Sequence, residues 1–357
     1  MASSADVLDA APIAQDELLE SARQGDAAAF EQLVAPYRGE LHAHCYRMLG
    51  SVQDAEDALQ DALLGAWRDL SGFEERSSLR SWIYRITTNA CLKLARRRPK
   101  RLLSIDFGPP TSSPNELGEF VPEPVFLEPY PEHLLNLADT RSDPAARYEL
   151  RESVELAFVA ALQYLPPTQR AVLILSEVLA FTAAEVARSL DTTVASVNSA
   201  LQRARKSLDQ RLPTERQQAA LHALGEKGRR ELVDAYVSAW ERADVPAILD
   251  MLVEDARFTM PPLPAWFDGR VAIGRFIAER LFETPWRLVP IMANGQLAFA
   301  CYQGSTEGSP FRLGAINVIG LRNGRIAEII GFLDPEVHTF FGLPRELPAE
   351  WNHHPER

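Results

Sequence analysis

Hydrophobic positions in residues 51–98 form two stripes with helical spacing, separated by a polar turn near Gly72. The first stripe consists of Ala55, Leu59, Ala62, Leu63, Ala66, Trp67 and Leu70. The second consists of Leu79, Trp82, Ile83, Ile86, Ala90 and Leu94. Recurrence at three, four and seven residues predicts two amphipathic helices. Ser51 is the expected N-cap of the first helix, and the second is expected to begin near Ser78.

The two predicted helices carry opposite charges. Asp54, Asp57 and Asp61 lie beside each other on the first, away from its apolar stripe. Residues 76–101 contain nine basic residues and no Asp or Glu. This order predicts an adaptor in which one helix suits a basic protein groove and the other suits nucleic acid.

Both segments also resemble a known family. DAEDALQDALLGAW resembles the polymerase-clamp-binding helix in region 2 of bacterial sigma factors of the extracytoplasmic-function class. SWIYRITTNACLKLARRR resembles the helix of that region that melts the promoter and contacts its upstream −10 element. The resemblance implies polymerase-binding residues at Asp54, Asp57, Gln60 and Asp61. It implies DNA-binding residues at Arg85, Asn89, Lys93, Arg96 and Arg97.

The flanking segments predict further helices. A short helix is expected over residues 16–24, and a longer helical stretch over 26–49 with an interruption at Pro36. Downstream, residues 151–164 and 171–179 each predict one helix. Residues 182–190 and 194–212 then predict a helix-turn-helix. Its expected core positions are Glu185, Val186, Leu190, Val194, Val197 and Leu201.

The second helix of this motif carries residues suited to DNA. Asn and Gln side chains can form paired hydrogen bonds with adenine, and Arg can do so with guanine. LPPTQRAVLILSEVLAFTAAEVA, followed by VNSALQRAR, resembles region 4 of the same sigma class. The candidates for contacts with the −35 element are Ser196, Asn198, Ser199, Gln202 and Arg203, with Arg205 suited to phosphate.

Residues 102–143 are rich in proline and acidic residues, which prevents a long helix. One interpretation is a solvated tether between two domains. The other is an extended strand that threads through a basic channel of a partner. The sigma-factor resemblance favours the second, because the family runs this linker through polymerase near the RNA exit path.

The remainder changes structural class. One helix is expected over 229–242 and a second over 247–253, and Glu254-Asp255 is expected to end the second. A helix over 271–282, a closing helix over 335–341 and β-patterned runs over 256–260, 286–293, 296–303, 311–321 and 325–332 complete the prediction. Asn323-Gly324 predicts a tight hairpin turn, and Gly295 marks another. The expected fold is an α+β cone with a curved antiparallel sheet.

Residues 229–341 resemble SnoaL-like domains, a family that includes a polyketide cyclase with an acidic residue in its cavity. The segments that carry the resemblance are YVSAWERADVPAILDMLVEDARFTMPP, WFDGRVAIGRF and GAINVIGLRNGRIAEIIGFLDP. No residue here corresponds to that acid. A ligand pocket could be lined by Met260, Trp266, Phe299 and Asn317, although large apolar residues are more often core and a buried Asn is normally bonded to backbone.

Composition narrows the class of protein. The net charge of −12 argues against a freestanding DNA-binding protein, but the clustering of basic residues weakens that objection. Three cysteines without CxxC spacing favour a reducing cytoplasm. No signal peptide, membrane segment, cofactor or metal site is expected. His42, His44 and Cys45 are close in sequence, but on a helix His42 and His44 point to different sides.

The expected organisation is two all-α domains followed by an α+β domain. The predicted divisions are a disordered start (1–15), sigma region 2 (16–101), an acidic linker (102–143), sigma region 4 (144–213), a connector (214–228), a SnoaL-like domain (229–345) and a tail (346–357). The leading hypothesis is a sigma factor that binds core RNA polymerase and promoter DNA. Its activity would be modulated by contact of the C-terminal domain with the sigma regions.

Two alternatives remain open from the sequence. The SnoaL-like domain could bind or convert a small molecule, although its segment lacks an evident acid–base pair. A plain helix-turn-helix repressor is the third hypothesis, but it leaves the acidic and basic helices of residues 51–98 unexplained.

Overall fold

The computed structural model describes residues 10–74, 77–121, 125–135, 144–213, 215–305 and 309–351. Residues 1–9 of the expected disordered start lie outside this part, as do residues 352–357 of the expected tail. The first helix begins at Ala10, earlier than the predicted residue 16.

Local sequence signals determine where the helices of the first unit begin. These helices are α1 (Ala10–Arg23), α2 (Ala27–Val34), α3 (Arg38–Leu49), α4 (Val52–Asp69) and α5 (Leu79–Ala95). The side chains of Asp26, Ser51 and Ser78 accept hydrogen bonds from backbone N–H groups at the starts of α2, α4 and α5, which stabilises each helix end. Pro36 lies in a 3₁₀ turn between α2 and α3, where the interruption was predicted.

A second helical unit follows the linker. The linker contains α6 (Ser104–Phe107), and the unit contains α7 (Pro144–Glu152), α8 (Leu156–Gln163), α9 (Pro167–Leu173), α10 (Ala183–Ser189) and α11 (Val194–Asp209). The single helix predicted over 151–164 is wrong, because the chain turns at residues 153–155. The helix predicted from residue 171 begins at Pro167, a favourable first helical position for proline. It continues as a π-helical stretch, Ile174–Val178.

The two helical units share one hydrophobic core. Helix α5 contacts α10, and α3 contacts α8 and α9. The linker also belongs to this core, since Leu127, Tyr130 and Leu135 are each at most 1% exposed. A solvated tether therefore does not describe residues 125–135, because apolar side chains between the prolines gain free energy by burial. Residues 122–124 and 136–143 of the linker lie outside the described part.

The C-terminal unit combines helices with a curved sheet. Its helices are α12 (Gln217–Glu241), α13 (Val245–Met251), α14 (Gly269–Glu279) and α15 (Pro335–His338). Its strands are β1 (Leu252–Thr259), β2 (Trp266–Asp268), β3 (Trp286–Ala293), β4 (Gln296–Gln303), β5 (Phe311–Arg322), β6 (Arg325–Phe332) and β7 (Glu346–Leu347). Helix α12 includes most of the predicted connector and bends at Gly225, whose φ is 66°.

The strand order is β2-β1-β6-β5-β4-β3, with β7 paired to β5. All pairs are antiparallel except β1 with β6, which are parallel. The predicted end of α13 at Glu254-Asp255 is wrong: β1 begins at Leu252, so both acids lie in the strand. Positive φ angles at Asn294, Gly295, Asn323 and Gly324 form the two predicted hairpin turns.

The two faces of the sheet have different coverings. Helices α12 and α14 enclose an interior filled by aromatic side chains, including Tyr236, Trp240 and Phe299. On the other face, Ile316, Val318 and Ile330 pack with Leu156 of α8 and with Phe341 near the C-terminus. The second helical unit therefore packs directly on the sheet. Within the described ranges, no helix is both long and apolar enough to cross a bilayer.

Candidate polymerase and DNA interfaces

Helix α4 presents an acidic face to solvent. Asp57, Gln60 and Asp61 are exposed on this face, as the spacing predicted. Leu64 is 48% exposed one turn further along, so an apolar side chain extends the acidic surface. The exposure of Leu64 could have been predicted from the sequence, because this residue falls outside the buried stripe of the helix.

Asp54, the remaining residue of the predicted polymerase-binding set, is buried and does not belong to this exposed face. Its side chain is buried, and Oδ2 lies 2.5 Å from Arg101 Nη2. Arg98 Nε lies 3.5 Å from Oδ1. Asp54 follows Ser51 at the N-terminus of α4, where the end of the basic segment folds back onto it. In this structure the Asp54 carboxylate therefore holds the basic segment and is not presented to a partner.

The linker also contacts the N-terminus of α4. Glu128 accepts hydrogen bonds from Ser51 Oγ and from the backbone N–H of Val52, each at 2.8 Å. Arg101 Nη1 lies 3.3 Å from the same carboxylate. Burial raises the pKa of Glu128, against the opposing effect of Arg101. The linker carboxylate thus caps the acidic helix in place of water.

The basic segment divides into a part exposed along α5 and a part whose side chains contact the rest of the protein. The predicted DNA-binding residues Arg85, Asn89, Lys93, Arg96 and Arg97 lie along or just beyond α5 on its solvent-facing side. Beyond them, Arg98 and Arg101 both contact Asp54, and of these two arginines Arg101 is buried while Arg98 stays exposed. Lys100 Nζ lies 3.6 Å from the centroid of the Tyr164 ring, a cation–π contact with the C-cap residue of α8. A nucleic acid can therefore reach the first part without disturbing the second.

The helix-turn-helix is formed by α10 and α11. Thr182 and Glu185 form a capping box at the start of α10, and Thr193 caps α11. The buried side of α11 consists of Val197, Ala200, Ala204 and Leu208. The predicted base-contacting residues Ser196, Asn198, Ser199, Gln202 and Arg203 are exposed. Arg205 is exposed and forms an ion pair with Glu177, so any phosphate contact requires it to leave that partner.

Val194 departs from the prediction. It was assigned to the helix-turn-helix core, but it is 44% exposed. Val194 is the first residue of α11 and precedes the first buried position, Val197, by three residues, so it lies at the edge of the buried side, where the helix begins.

Helix α5 and the helix-turn-helix contact each other directly. Ser81 Oγ of α5 donates a 3.4 Å hydrogen bond to Glu185 of α10. The Arg80 guanidinium lies 4.7 Å from the centre of the Phe181 ring and donates to the Leu179 carbonyl oxygen. Helix α5, predicted to contact the −10 element, is therefore packed against α10, the first helix of the helix-turn-helix.

The hairpin turn between β3 and β4 inserts where three other segments meet. Asn294 Nδ2 donates to Tyr46 Oη of α3 at 2.8 Å and to the Val154 carbonyl oxygen at 2.7 Å. Its Oδ1 accepts the backbone N–H of Tyr130 in the linker at 2.7 Å. Asn294 is fully buried. We call the contact of Tyr46, Tyr130, Val154 and Asn294 the junction.

Buried polar residues extend the contact between α8 and the sheet. Gln296 Oε1 accepts the N–H of Leu156 at 3.0 Å. Glu155 accepts the N–H of Gln218 at 2.9 Å and forms an ion pair with Arg216 at 3.0 Å. Burial raises the pKa of Glu155, while Arg216 lowers it. These hydrogen bonds form only when the C-terminal unit and the second helical unit are together, and buried polar groups require such partners.

The four candidate pocket residues are buried side chains of the C-terminal unit. Phe299 stacks against Tyr236 with ring centres 4.5 Å apart. The Trp266 indole donates to the Gly108 carbonyl oxygen of the linker at 2.8 Å. Met260 and Asn317 are 4% and 3% exposed. A cleft of about 1040 Å³ lies elsewhere, between α8, the connector and the sheet, and none of the four lines it.

Junction residues are the functional candidates that sequence reasoning missed. The sequence did indicate a turn at Gly295, but nothing local to Asn294, Tyr46 or Tyr130 indicates that they meet, because their contacts span up to 248 residues. Within the described ranges, no cluster of three or more His, Cys, Asp or Glu side chains has the arrangement of a metal site.

Comparison with known proteins finds three family models along the chain. Residues 33–101 match the family model described as Sigma-70 region 2, and residues 155–208 match Sigma-70, region 4. Residues 233–329 match the SnoaL-like domain. The chain is 40% identical to the ECF RNA polymerase sigma factor SigG of Mycobacterium tuberculosis over 333 residues, which cover 91% of this chain and 86% of that protein.

Other relatives cover less of the chain or are more distant. The ECF RNA polymerase sigma factor SigW of Bacillus subtilis is 25% identical over 195 residues, covering 54% of this chain and 94% of that protein. The crystal structure of the extracytoplasmic function sigma factor SigJ of Mycobacterium tuberculosis superimposes with a TM-score of 0.55 at 21% identity. That match covers 85% of this chain and 96% of SigJ, and it shows the shared fold. The chain belongs to the extracytoplasmic-function sigma factors, which bind core RNA polymerase and promoter DNA to direct transcription initiation.

Proposed function

We propose that this sigma factor alternates between a closed form and an open form, and that the SnoaL-like domain favours the closed one. In the open form, Asp57, Gln60 and Asp61 bind the polymerase clamp. The exposed basic row of α5 contacts the upstream part of the −10 element, and the exposed face of α11 contacts the −35 element. The protein acts where RNA polymerase acts, in the cytoplasm. The proposed divisions are region 2 over 16–101, region 4 over 144–213 and the regulatory domain over 229–345.

The observation that carries this proposal is the contact between α5 and α10. Elements centred about 10 and 35 base pairs upstream are roughly 85 Å apart along B-form DNA, at about 3.4 Å per base pair. Helices α5 and α11 have 17 and 16 residues, so each is only about 25 Å long. With Ser81 and Glu185 hydrogen-bonded, both faces cannot reach their elements together. Promoter binding therefore requires region 4 to separate from region 2.

The junction supports a role for the C-terminal domain in opposing this separation. Asn294 bonds to α3 of region 2, to the linker and to the segment that begins region 4. Opening leaves those buried groups without these partners, and each unsatisfied group costs about 1–3 kcal/mol until water reaches it. Polymerase and promoter favour the open form by their higher affinity for it.

The linker supports the same interpretation. In the closed form Glu128 caps α4, and Leu127 and Tyr130 are buried. A linker that threads through polymerase must first leave these sites. Linker release and polymerase binding would therefore be coupled. The coupling free energy depends on the hydrogen bonds and buried apolar surface that hold the linker in the closed form.

A small-molecule function for the SnoaL-like domain is not favoured. The interior that such a ligand would fill contains Tyr236, Trp240, Phe276 and Phe299 in contact with one another or with neighbouring rings. The sequence of this domain also offers no evident acid–base pair for catalysis.

The test is promoter-specific transcription with core polymerase, comparing the full chain with a chain that ends at Leu212. We expect the shorter chain to be severalfold more active, corresponding to a coupling of about 1–3 kcal/mol. Small-angle scattering of the free full chain should match the compact structure. A protease site placed at residue 214 provides the matched control, because cleavage releases the same domain without changing its amount.

Equal activity of both chains, together with scattering from independently tumbling domains, would contradict the proposal. Reduced activity of the shorter chain would show that the domain supports the active form instead. Restoring the cleaved domain at high concentration should restore inhibition if the contact itself is responsible.

A further inference from the structure

The first residue of α11 is an exposed valine on an otherwise polar surface. Val194 is 44% exposed, and Thr193 caps the helix beside it by accepting the N–H of Ser196. Isolated exposed apolar residues are common and carry no information by themselves. The position of Val194 on the helix is what distinguishes it.

Val194 belongs to the same row as the proposed base-contacting amides. Positions i, i+4 and i+8 lie along one face of an α-helix, so Val194, Asn198 and Gln202 form one row. The buried positions Val197, Ala200, Ala204 and Leu208 form the neighbouring face, so the row starts at the border of that face with Val194 and moves away from it towards Gln202. Val194 is thus an apolar residue at the N-terminal end of a polar, solvent-facing row.

The major groove offers one apolar feature that such a side chain fits. Recognition helices direct their N-terminal residues at base edges. Each base pair presents hydrogen-bonding groups there, and thymine additionally presents its C5-methyl group. A valine cannot form hydrogen bonds with base edges through its side chain, so the complementary partner for its γ-methyl groups is the thymine methyl.

We propose that Val194 determines specificity by contacting the C5-methyl group of a thymine in the −35 element. This inference rests on the proposed use of α11 as the recognition helix, and it adds an apolar contact to the polar ones. Removing one buried methyl-sized contact typically lowers binding by about three- to fivefold. That is the effect expected for Val194→Ala at one position of the element.

The first experiment identifies the position. Holoenzyme assembled from core polymerase and the full chain selects bound promoters from a library whose −35 region is randomised. The wild type should prefer thymine at a position where Val194→Ala loses that preference by about three- to fivefold. Val271→Ala is the matched control, because Val271 is 77% exposed on α14 of the C-terminal domain. Alanine favours a helix more than valine does, so Val194→Ala should fold normally, which thermal unfolding verifies.

The second experiment isolates the methyl group. Replacing the selected thymine by uracil removes only the C5-methyl. The wild type should lose about three- to fivefold in binding, while Val194→Ala should lose nothing further. Equal losses for both proteins, or no thymine preference sensitive to Val194, would overturn the inference.

Arg203→Ala distinguishes two negative outcomes: Val194 has no role in specificity, or α11 is not the recognition helix. If Arg203→Ala changes base preference in the −35 region but Val194→Ala does not, α11 is the recognition helix and Val194 has no part in specificity. If neither variant alters any preference in that region, the recognition helix is wrongly assigned and the inference fails with it.

Discussion

Asn294 donates a 2.8 Å hydrogen bond to the hydroxyl of Tyr46, joining two residues 248 positions apart in the chain. The same hydroxyl donates to the Glu128 carbonyl oxygen at 2.7 Å. One oxygen atom therefore connects the sheet of the C-terminal domain, helix α3 and the linker. Tyr46 is fully buried, so its hydroxyl depends on these partners and not on water.

Removing the Asn294 side chain should favour the open form. Its φ of 55° is left-handed, and glycine adopts that conformation easily, so Asn294→Gly deletes the side chain while retaining the turn. The variant leaves Tyr130 N–H and the Val154 carbonyl without their partner. At about 1–3 kcal/mol per unsatisfied group, we expect a larger radius of gyration and severalfold higher promoter-specific transcription.

Asn323→Gly is the matched control for this prediction. Asn323 also precedes a glycine in a hairpin turn, with a φ of 52°, but its side chain is exposed. Its backbone N–H contact with Glu215 survives the change. If both variants alter scattering and transcription equally, the Asn294 side chain does not control the closed form.

Charge reversal on the exposed face of α4 should remove polymerase binding without unfolding the protein. Asp57→Lys combined with Asp61→Lys places like charges against a basic clamp, where a charged hydrogen-bonded pair contributes about 1.5–3 kcal/mol. We expect no holoenzyme by gel filtration and an unchanged melting temperature. Leu64→Ala should weaken assembly less. Normal assembly of the double variant would show that the clamp binds elsewhere.

Asp54→Ala should lower the stability of the free protein, unlike the charge reversals at Asp57 and Asp61. The change removes the closest carboxylate of buried Arg101 and leaves it Glu128 at 3.3 Å, so we expect a cost of about 1–3 kcal/mol for the lost charged hydrogen bond. We expect a clearly lower melting temperature in the free protein. If the variant melts normally but fails to bind polymerase, Asp54 contacts polymerase directly and does not act by stabilising the fold.

Arg203 and Arg205 should affect DNA binding in different ways. Arg203 is exposed on the proposed recognition face, so Arg203→Ala should relax preference at one or two −35 positions at about 1–3 kcal/mol. Arg205→Ala should weaken all sequences alike and lower the salt dependence of binding. Binding isotherms on matched and mismatched promoters at several salt concentrations distinguish the two. The same uniform loss for both would mean that the register of α11 is wrong.

The sequence predicted the elements better than their assembly. Strands β3, β4 and β6 occupy the predicted residues, because alternation and Asn-Gly turns are local signals. The burial of Asp54 could not be predicted, because its spacing matches that of Asp57 and Asp61. Its partner Arg101 is 47 residues away and reaches it only in the folded protein. Val194 was predicted to be a core residue because it is apolar. It is exposed because it is the first residue of α11.

The junction was beyond prediction for a different reason. Asn294 and Gly295 are the residues that a hairpin turn requires. Nothing in the sequence therefore indicates that Asn294 also forms tertiary hydrogen bonds. The tyrosines that meet this turn are ordinary buried aromatics in their own segments. Only the packing of three segments makes one asparagine satisfy Tyr130, Val154 and Tyr46 together.

Acidification should destabilise the folded protein through its buried histidines. Burial lowers the pKa of His42 to about 4 and that of His44 to about 3. Below the ordinary value near 6.5 the unfolded chain therefore binds protons that the folded chain does not. Each histidine lowers the free energy of unfolding by about 1.4 kcal/mol per pH unit as pH falls from about 6.5 towards its folded pKa. Glu128 and Glu155, whose pKa values are raised, act in the opposite direction.

A single substitution separates the histidine contribution from that of the carboxyl groups. His42 Nδ1 lies 2.8 Å from the Tyr130 hydroxyl, and an asparagine amide can occupy a similar place without titrating. We expect His42→Asn to reduce the slope of unfolding free energy between about pH 6.5 and 5 by about 1.4 kcal/mol per unit, measured by urea unfolding. His222→Asn, the same exchange at an exposed position of α12, is the control for effects of the substitution that do not depend on burial. An unchanged slope in His42→Asn would mean that His42 gains its proton equally in both states, which its burial beside Tyr130 argues against.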